Sequence, residues 1–373
     1  MLVPEPTVRA DAREHHTALV RECGVWFGRL SVVRGVPVGE ALARCGGTDV
    51  GTATVAHVRE CGINAYPDTL PVVVADEQDG WTLLLEPDGA HGTAAEGLDR
   101  LSAGTVAASV EWGDIDQESS LALAVDGRVL AGFASDRGTA PEGPDPDAVA
   151  PFVTGLDFDV PGGEEAALLV FIERVSGVRI TAQWIGERHR AAALVARDAF
   201  EPAFPRTWLD AAAPEVAASL PGLGATERYA TAAEAAAGAC RDAGVTGTAA
   251  LRLLEADAAA LDERERARRR DELADLALEL SRRVLVMRWR RCQPPDETLP
   301  IGERLRLRMA QRDTEPVAER ALQAQAYALG AAAGSLADDP SDAVALALRN
   351  ARLSERERQP RPRQCPKSVR PDA

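Results

Sequence analysis

Five short β-type runs between residues 70 and 135 constrain the fold of this chain most. In order they are LPVVVAD, GWTLLLE, GTVAASVEW, SSLALAVDG and RVLAGFAS. Asp-Gly pairs at 79–80, 88–89 and 126–127 bound them, and the pair at 126–127, which lies between two runs, is the strongest hairpin signal. We therefore predict a small, mostly antiparallel sheet, with a short helix over "AAEGLDRLSAG" between the second and third runs.

Helical patterns flank these strands. Residues 12–65 are predicted to be helical because apolar residues recur at spacings of three and four and form one stripe: Leu19, Cys23, Trp26, Phe27, Leu30 and Val33. Gly35 is the predicted stop, and "VPVGEALARCGG" predicts a second short helix. Residues 145–185 turn helical again, most clearly in "EEAALLVFIERVSGV". The prediction is an α+β domain over residues 1–185, with the sheet packed against helices.

Residues 186–353 are alanine-rich and helical in pattern, which predicts an all-α, bundle-like second domain. Thr226 is the predicted N-cap of one helix, and Asp262 with Glu265 has the spacing of a capping box for another. Residues 354–373 contain four prolines and several arginines, so they are predicted to form a disordered tail.

Charge is unevenly distributed along the chain. The formal net charge is −16, and residues 1–200 account for all of it, with 15 arginines against 31 acidic residues. The net charge of residues 201–373 is zero. Such a field repels nucleic-acid phosphate and anionic lipid, and it favours a partner with a basic surface. No apolar stretch approaches the length of a membrane span, and six scattered cysteines suit reduced thiols, so a cytoplasmic location is expected.

Part of the chain resembles a known family. The resemblance is carried by "VVRGVPVGEALARCGG" at 32–47, "GWTLLLEPDGAHGT" at 80–93, "LDRLSAGTVAASVEW" at 98–112, "LALAVDGRVLAGFAS" at 121–135 and "GPDPDAV" at 143–149. Over residues 12–185 the chain is similar to a domain of unknown function numbered 6461, found in high-GC Gram-positive bacteria. After Trp112 this chain has "GDIDQESS" where the family usually carries an asparagine-rich stretch. The resemblance implies a fold unit and no particular reaction.

Three residues near the end of the second run form the candidate catalytic set: Glu86, Asp88 and His91. A carboxylate and a histidine at the end of a strand can act as acid and base. The alternative is that Glu86 is simply the last strand residue and that Asp88 serves the turn. We favour this second interpretation, in which the polar groups of the sheet domain serve turns and surface and do not converge.

Cys23, Cys45, His57 and Cys61 are the candidate metal ligands. His57 and Cys61 are four residues apart and share one face of a helix, as ligands can. No pair of cysteines has the close spacing that zinc sites use, and Cys23 and Cys45 occupy positions where the helical pattern requires a buried apolar residue. Small buried thiols are therefore the favoured interpretation, and neither a metal nor another cofactor is predicted.

Arginine clusters at 264–291 and 349–370 are the candidate nucleic-acid contacts. In the first cluster, glutamates interleave with the arginines as helix partners, and aromatic residues for base stacking are nearly absent. Nucleic-acid binding through the C-terminal segment therefore stays a lesser alternative.

No phosphate-binding loop, nucleophile elbow or zinc-protease motif occurs in the chain. The leading hypothesis is a non-catalytic protein-binding or regulatory module. The alternatives are an enzyme with an unfamiliar site near Glu86 and His91, and nucleic-acid association.

Overall fold

The structure is a computed structural model. It describes residues 3–23, 28–87, 95–112, 119–134, 141–156, 158, 163–195, 200, 205–245, 260–295, 298–313 and 316–359. The chain divides into two compact units. Unit 1 comprises residues 1–196 and 285–315, and unit 2 comprises residues 197–284 and 316–373.

Unit 1 is built on one sheet of eight strands. Their bounds are β1 Gly28–Arg34, β2 Gly47–Ala53, β3 Val72–Gln78, β4 Trp81–Glu86, β5 Val106–Trp112, β6 Ser120–Val125, β7 Arg128–Ala134 and β8 His189–Leu194. The order across the sheet is β2-β8-β3-β4-β1-β5-β6-β7, and every neighbouring pair is antiparallel. The five predicted runs are β3 to β7, and the predicted α+β class with an antiparallel sheet is confirmed.

The helix predicted over residues 12–35 is wrong in its second half. A helix does form first, α1 at Ala12–Cys23, but Leu30 and Val33 lie on β1. Six successive residues of β1 are buried, because this strand lies near the middle of the sheet and both of its faces are covered. A strand that is apolar on both faces lacks the alternation that distinguishes strands from helices, so its apolar spacing was mistaken for a helical stripe.

Two further strands lie where helix or loop was predicted. β2 is an edge strand that is rich in glycine and has only its last residue buried, so its sequence carries little β signal. β8 has the sequence HRAAAL and falls in the region that was predicted to be helical. Alanine favours helices, but pairing with β2 and β3 on either side overrides this propensity. The sheet therefore extends beyond the predicted boundary at residue 185.

Before residue 197, the described part of unit 1 contains seven α-helices. They are α1, α2 Val38–Arg44, α3 Val55–Ala65, α4 Ala95–Leu101, α5 Ala150–Val153, α6 Glu164–Ser176 and α7 Ala182–Gly186. The short helices predicted over "VPVGEALARCGG" and "AAEGLDRLSAG" are α2 and α4, and the predicted helix over "EEAALLVFIERVSGV" is α6.

The sheet has an apolar core on each face. Successive residues of a strand lie in the two cores by turns: Val72 and Val74 lie in the larger core and Val73 in the smaller one. Residues of α1, α3, α6 and α7 contribute to the larger core, while α2 and α4 contribute to the smaller one. A covering of helices on both faces explains why the central strands read as continuous apolar runs.

A late segment of the chain completes the larger core. Helix α11, Glu263–Arg291, places Leu285 and Trp289 in this core, and Cys292 follows them. On α3, Asn64 donates its side-chain amide to the carbonyl of Cys292 at 3.1 Å. Residues 285–315, which also include helix α12 at Ile301–Asp313, therefore belong with the sheet although they are distant in sequence.

Unit 2 is helical in its described residues. Its helices are α8 Pro205–Ala212, α9 Pro214–Ser219, α10 Ala225–Asp242, the part of α11 before residue 285, α13 Val317–Gly334 and α14 Pro340–Arg358. Small residues allow close packing here. A Cβ added at Gly334 would lie 2.6 Å from the Cβ of Leu346, so α13 and α14 approach at a distance that only glycine permits.

The predicted cap at Asp262 is confirmed, since its side chain accepts a hydrogen bond from the backbone N–H of Glu265 at 2.8 Å. The predicted N-cap at Thr226 is wrong: α10 begins at Ala225, and Gly224 occupies the cap. Residues 354–358, predicted to be part of a disordered tail, belong to α14, and residues 360–373 lie outside the described residues. Among the described helices, none is both long enough and apolar enough to cross a membrane.

Candidate functional site

Glu86 is the one member of the predicted catalytic set that the structure describes. It is the last residue of β4, it is only 2 % exposed, and it lies directly opposite Arg29 of β1. On the other side of β1, Arg29 lies opposite Glu111 of β5. Because alternate residues of a strand share a face, all three side chains lie on the face of the smaller core.

These charged residues belong to a patch of polar side chains that extends over two neighbouring rows of β4, β1 and β5. Arg29 donates to the carboxylate of Glu111 and is itself 9 % exposed. Two residues further along β1, the hydroxyl of Ser31 donates to that of Ser109 at 2.9 Å, and both serines are buried. We call Arg29, Ser31, Glu86, Ser109 and Glu111 the Arg29 cluster.

Two neighbours show how tightly the cluster is enclosed. The thiol of Cys45 is buried, and burial together with the negative charge of Glu86 raises its pKa to about 12. This thiol is therefore protonated at neutral pH and is a poor nucleophile. Gly28 has φ +143°, and a Cβ there would lie 1.9 Å from the backbone oxygen of Glu86, so only glycine lets β1 approach the end of β4.

The favoured interpretation is confirmed in that Glu86 is the last residue of β4, but it is wrong in assigning this side chain to a turn or to the surface. A buried carboxylate needs a compensating charge, and Arg29 is its cross-strand neighbour. The sequence concealed this arrangement because Arg29 was assigned to a helix. The other two candidates, Asp88 and His91, lie outside the described residues, so their place relative to Glu86 stays a prediction.

The four candidate metal ligands are distributed over different parts of unit 1. Cys45 belongs to the smaller core and Cys61 to the larger one, on opposite faces of the sheet, while Cys23 is half-buried at the end of α1. Within the described ranges, no group of three or more histidine, cysteine or acidic side chains is arranged to hold a metal ion.

His57 and Cys61 do share one face of α3, but an amide lies against both. His57 Nε2 and the side-chain oxygen of Gln293 form a hydrogen bond of 2.8 Å, and the amide nitrogen of Gln293 lies 3.6 Å from the Cys61 sulfur. The spacing of four residues thus marks a packing contact with the segment that follows α11.

Sequence reasoning missed a second group of buried charges. Glu173 on α6 is 1 % exposed; it accepts hydrogen bonds from His16 at 2.7 Å and from Arg9 and Arg179 at 2.9 Å, and Arg179 also pairs with Asp11. Burial acts to raise the pKa of Glu173, but the hydrogen bonds from His16, Arg179 and Arg9 lower it to about 2. Burial lowers the pKa of His16 despite its bond to Glu173. This Glu173 network ties the N-terminal segment to α6, and residues more than 150 positions apart gave no local signal.

Helix α12 is the most unusual surface of unit 1. Three apolar side chains spaced four residues apart on it are mostly exposed: Ile301 at 70 %, Leu305 at 54 % and Met309 at 65 %; Leu307, which lies off this line, is 42 % exposed. The least exposed residues of 301–311 are the polar side chains Arg304, Arg308 and Gln311. We call Ile301, Leu305 and Met309 the α12 stripe.

Two contacts fix the orientation of α12. Arg308 forms an ion pair with Glu60 of α3, and the side-chain amide of Gln311 donates to the backbone oxygen of Gln293 at 3.0 Å. Ile63 of α3 and Tyr66, which directly follows this helix, are also strongly exposed, at 64 % and 72 %. The polar side of α12 therefore faces the body of unit 1, and the apolar stripe does not.

The arginine clusters at 264–291 and 349–370 are partly engaged within the chain. Arg268 and Arg269 both pair with Glu265 on the same helix. This matches the expected interleaving of opposite charges on a helix face. Residues 360–370 lie outside the described residues, so a nucleic-acid contact through them stays a prediction.

Comparisons with known proteins give one positive result. Residues 29–201 match the model of a family described as "Family of unknown function (DUF6461)", which confirms the predicted resemblance for a part of the chain. No curated protein and no solved structure matches the chain.

Proposed function

We propose that this chain is a non-catalytic protein-binding module and that it docks its partner through the α12 stripe. The single observation that carries the proposal is the reversed orientation of α12, with polar side chains toward the body and Ile301, Leu305 and Met309 in solvent. A helix on the surface of a folded unit ordinarily places its apolar side inward.

The free energy of hydration explains why this orientation points to a partner. Burying one large apolar side chain is worth about 1.5–3 kcal/mol relative to leaving it exposed, so three such side chains in solvent represent a substantial unused contribution. The ion pair of Arg308 with Glu60 and the hydrogen bond of Gln311 hold the helix against turning the stripe inward. Contiguous exposed apolar residues with polar neighbours are typical of protein interfaces.

The partner is proposed to be a protein surface with apolar side chains opposite the stripe. Exposed Ile63 on α3 and Tyr66 at its end would enlarge the apolar contact, and aromatic residues such as Tyr66 are enriched at interfaces. The expected basic partner surface stays a prediction, because it rests on the acidic excess of residues 1–200 and not on this helix.

The test compares three forms of the full chain as bait in the same cell extract: the natural protein, Leu305→Asp and Leu276→Asp. Leu276 is an exposed leucine on α11 outside the stripe, at 42 %, so its replacement controls for a new surface charge. We expect a partner that the natural protein and Leu276→Asp retain and that Leu305→Asp loses. Recovery of the same proteins by all three forms would contradict the proposal.

A second candidate function, an enzyme with its site near Glu86, is favoured by the burial of this carboxylate beside Arg29. Buried charges that destabilise a fold are often retained where a catalysed reaction requires them. A functional carboxylate is frequently held at the expense of stability, whereas a structural one stabilises the fold.

The free energy of unfolding of Glu86→Gln distinguishes the two roles, with Glu111→Gln as the matched control on the other side of Arg29. A structural Glu86 predicts a loss of about 1–3 kcal/mol on neutralisation. A gain in stability for Glu86→Gln, with a loss for Glu111→Gln, would favour the enzyme.

A further inference from the structure

We propose that a cavity beneath α1 is a binding site for a small aromatic molecule with one hydroxyl group, and that His16 accepts a hydrogen bond from this hydroxyl. The site lies within unit 1 and shares no residue with the α12 stripe, so it stands independently of the proposed function. Three observations carry the proposal: the cavity itself, two buried nitrogen atoms beside it that lack a partner, and the weak apolar anchoring of the helix that covers it.

The cavity lies between α1, α6, α7 and the face of the sheet that carries the larger core. Leu19 and Val20 of α1 and Leu169 of α6 line it, and Trp112 and Trp184 contribute to the rest of its wall. Its volume is about 10 Å³, which is roughly the room that one water molecule needs. The lining side chains are aliphatic or aromatic, and a cavity with such walls stays dry and accepts an apolar group.

His16 lies at one end of this cavity. It precedes Leu19 and Val20 by one turn of α1, and its partner Glu173 follows Leu169 by one turn of α6. His16 is fully buried, and its Nε2 and a carboxylate oxygen of Glu173 form a hydrogen bond of 2.7 Å. The other ring nitrogen, Nδ1, is also buried and has no hydrogen-bond partner among the described residues.

The protonation states of this pair make Nδ1 an acceptor. Despite burial, hydrogen bonds from His16 and two arginines hold the pKa of Glu173 at about 2, so its carboxylate is ionised at neutral pH and only accepts. Burial lowers the pKa of His16, so its imidazole is neutral and carries its single proton on Nε2. Nδ1 therefore has a lone pair for a donor. A buried nitrogen without a partner costs free energy, which the hydroxyl of a ligand would recover.

Trp112 is the second buried group with an unmatched polar atom. It lines the cavity and is 5 % exposed, and its indole N–H has no hydrogen-bond partner within the described ranges, although a buried indole ordinarily has one. A hydroxyl group both donates and accepts, so its chemistry complements an imidazole acceptor and an indole donor. The rings of Trp112 and Trp184 favour an aromatic ligand, because aromatic rings pack in offset or edge-to-face arrangements. A phenol combines these properties.

Helix α1 is the cover of the site, and a phenol enters only if this helix moves, because the closed cavity is too small for it. Ala12, His16 and Leu19 are the buried residues of α1, so little apolar surface holds this helix in place. Polar contacts supply the rest: His16 bonds to Glu173, and His15 Nε2 lies 2.8 Å from the backbone oxygen of Ile180. Elements with few buried apolar contacts open at the lowest cost in free energy.

The experiment is isothermal titration calorimetry of the full chain with phenol at neutral pH, with toluene as the matched compound that lacks a hydroxyl group. We expect phenol to bind with a Kd on the order of 0.1 mM, as the binding free energy per atom of small ligands allows. Toluene should bind about fivefold more weakly because it has no donor for His16. Toluene that binds as tightly as phenol would overturn His16 as the acceptor and, with it, the proposed class of ligand.

Val20→Ile tests the location of the site, because it adds one methylene group to the wall of the cavity. Val8→Ile is the matched control, since it makes the same change at a valine that is 68 % exposed. Val20→Ile should weaken phenol binding about tenfold, and Val8→Ile should leave the Kd unchanged. Far-ultraviolet circular dichroism shows whether both variants retain their helices. An equal Kd for phenol in the natural chain and in folded Val20→Ile would place the ligand elsewhere and overturn the site.

Nitrogen-15 spectra of the imidazole groups provide a measurement that needs no variant. Phenol should shift the Nδ1 resonance of His16, because the lone pair of this nitrogen then accepts a hydrogen bond. The resonances of His57, which lies on α3 and bonds to Gln293, should not change. An unchanged His16 resonance, or no heat of binding at phenol concentrations up to about ten times the expected Kd, would overturn the proposal.

Discussion

Within unit 1, the Arg29 cluster and the α12 stripe depart from the usual distribution of side chains in opposite directions. In the cluster, the charged residues Arg29 and Glu86 are buried at the middle of the sheet, whereas on α12 apolar residues such as Leu305 stand in solvent. The buried charges have compensating groups close by in the same chain. The described residues supply no such compensation for the stripe, which is why we look for it in another molecule.

This difference shows that a buried polar residue and an exposed apolar residue support different conclusions about binding. A buried charge that is paired within the fold needs no ligand to explain it, although removing one member leaves the other unpaired. An exposed apolar stripe can be removed without harm to the isolated fold. Four predictions test this contrast.

Glu173→Ala should have the largest effect, a loss of about 3–5 kcal/mol in the free energy of unfolding, because it leaves Arg9, Arg179 and buried His16 without their shared carboxylate. Urea denaturation followed by circular dichroism measures this. Glu187→Ala, which replaces an exposed glutamate, is the control and should change stability by less than about 0.5 kcal/mol. Equal losses in both variants would mean that the buried Glu173 network contributes no more to the free energy of unfolding than an exposed glutamate does.

Arg29→Met should cost about 2–4 kcal/mol because it leaves the carboxylates of Glu86 and Glu111 without the guanidinium between them. The double variant Arg29→Met, Glu111→Leu should lose less than the sum of the two single losses. The same denaturation experiment gives all three values. Strict additivity would show that Arg29 and Glu111 do not interact in solution.

Acid should destabilise the protein in two stages. His16 has a pKa below its usual 6.5 in the fold, so the unfolded chain takes up its proton first and stability falls as the pH drops below about 6.5. Glu173 has a pKa of about 2 instead of 4.5, so its contribution is complete above pH 4.5 and is lost as the pH falls toward 2.

Denaturation midpoints between pH 7 and 3 measure these stages, and the change should be smaller than the loss in Glu173→Ala at pH 7. Glu173→Gln cannot ionise at this position, so its stability should depend less on pH below 4.5. If stability falls equally steeply below pH 4.5 in the natural protein and in Glu173→Gln, groups other than Glu173 cause the fall.

Leu305→Gln should have the smallest effect on the isolated chain, a change within about 0.5 kcal/mol, because the leucine contributes little buried surface to the fold. Thermal denaturation at a concentration below about 1 µM, where weak association through exposed apolar residues is negligible, measures this. A loss of 2 kcal/mol or more would show that Leu305 packs against its own chain.

The sequence was sufficient for the parts of the fold whose signals are local. Asp126 and Gly127 mark the β6–β7 hairpin, and both have positive φ, as the turn requires. Strands β3 to β7 and helices α2, α4 and α6 were predicted from runs and turns of this kind. Each of these signals lies within the element that it predicts.

The sequence was insufficient where the structure depends on distant residues. β1 is buried on both faces by elements most of which follow it in the chain, and β8 is a strand because it pairs with β2 and β3. The Arg29 cluster depends on these assignments, since Arg29 meets Glu86 and Glu111 only if β1 is a strand between β4 and β5. The reversal of α12 could not be predicted either, because its periodicity shows an apolar stripe and not the direction that the stripe faces.

The position of residues 285–292 has a consequence for how the protein is made. Leu285, Trp289 and Cys292 share a core with Val58 and Cys61 of α3, yet the ribosome finishes β8 well before it reaches them. At a synthesis rate of about 5–20 residues per second, the apolar patch around Val58 and Cys61 stays uncovered for several seconds or more. A fragment that ended at residue 196 would keep all eight strands and still expose this patch. Aggregation of such a fragment would therefore indicate that residues 285–292 are missing, and not that the sheet is misfolded.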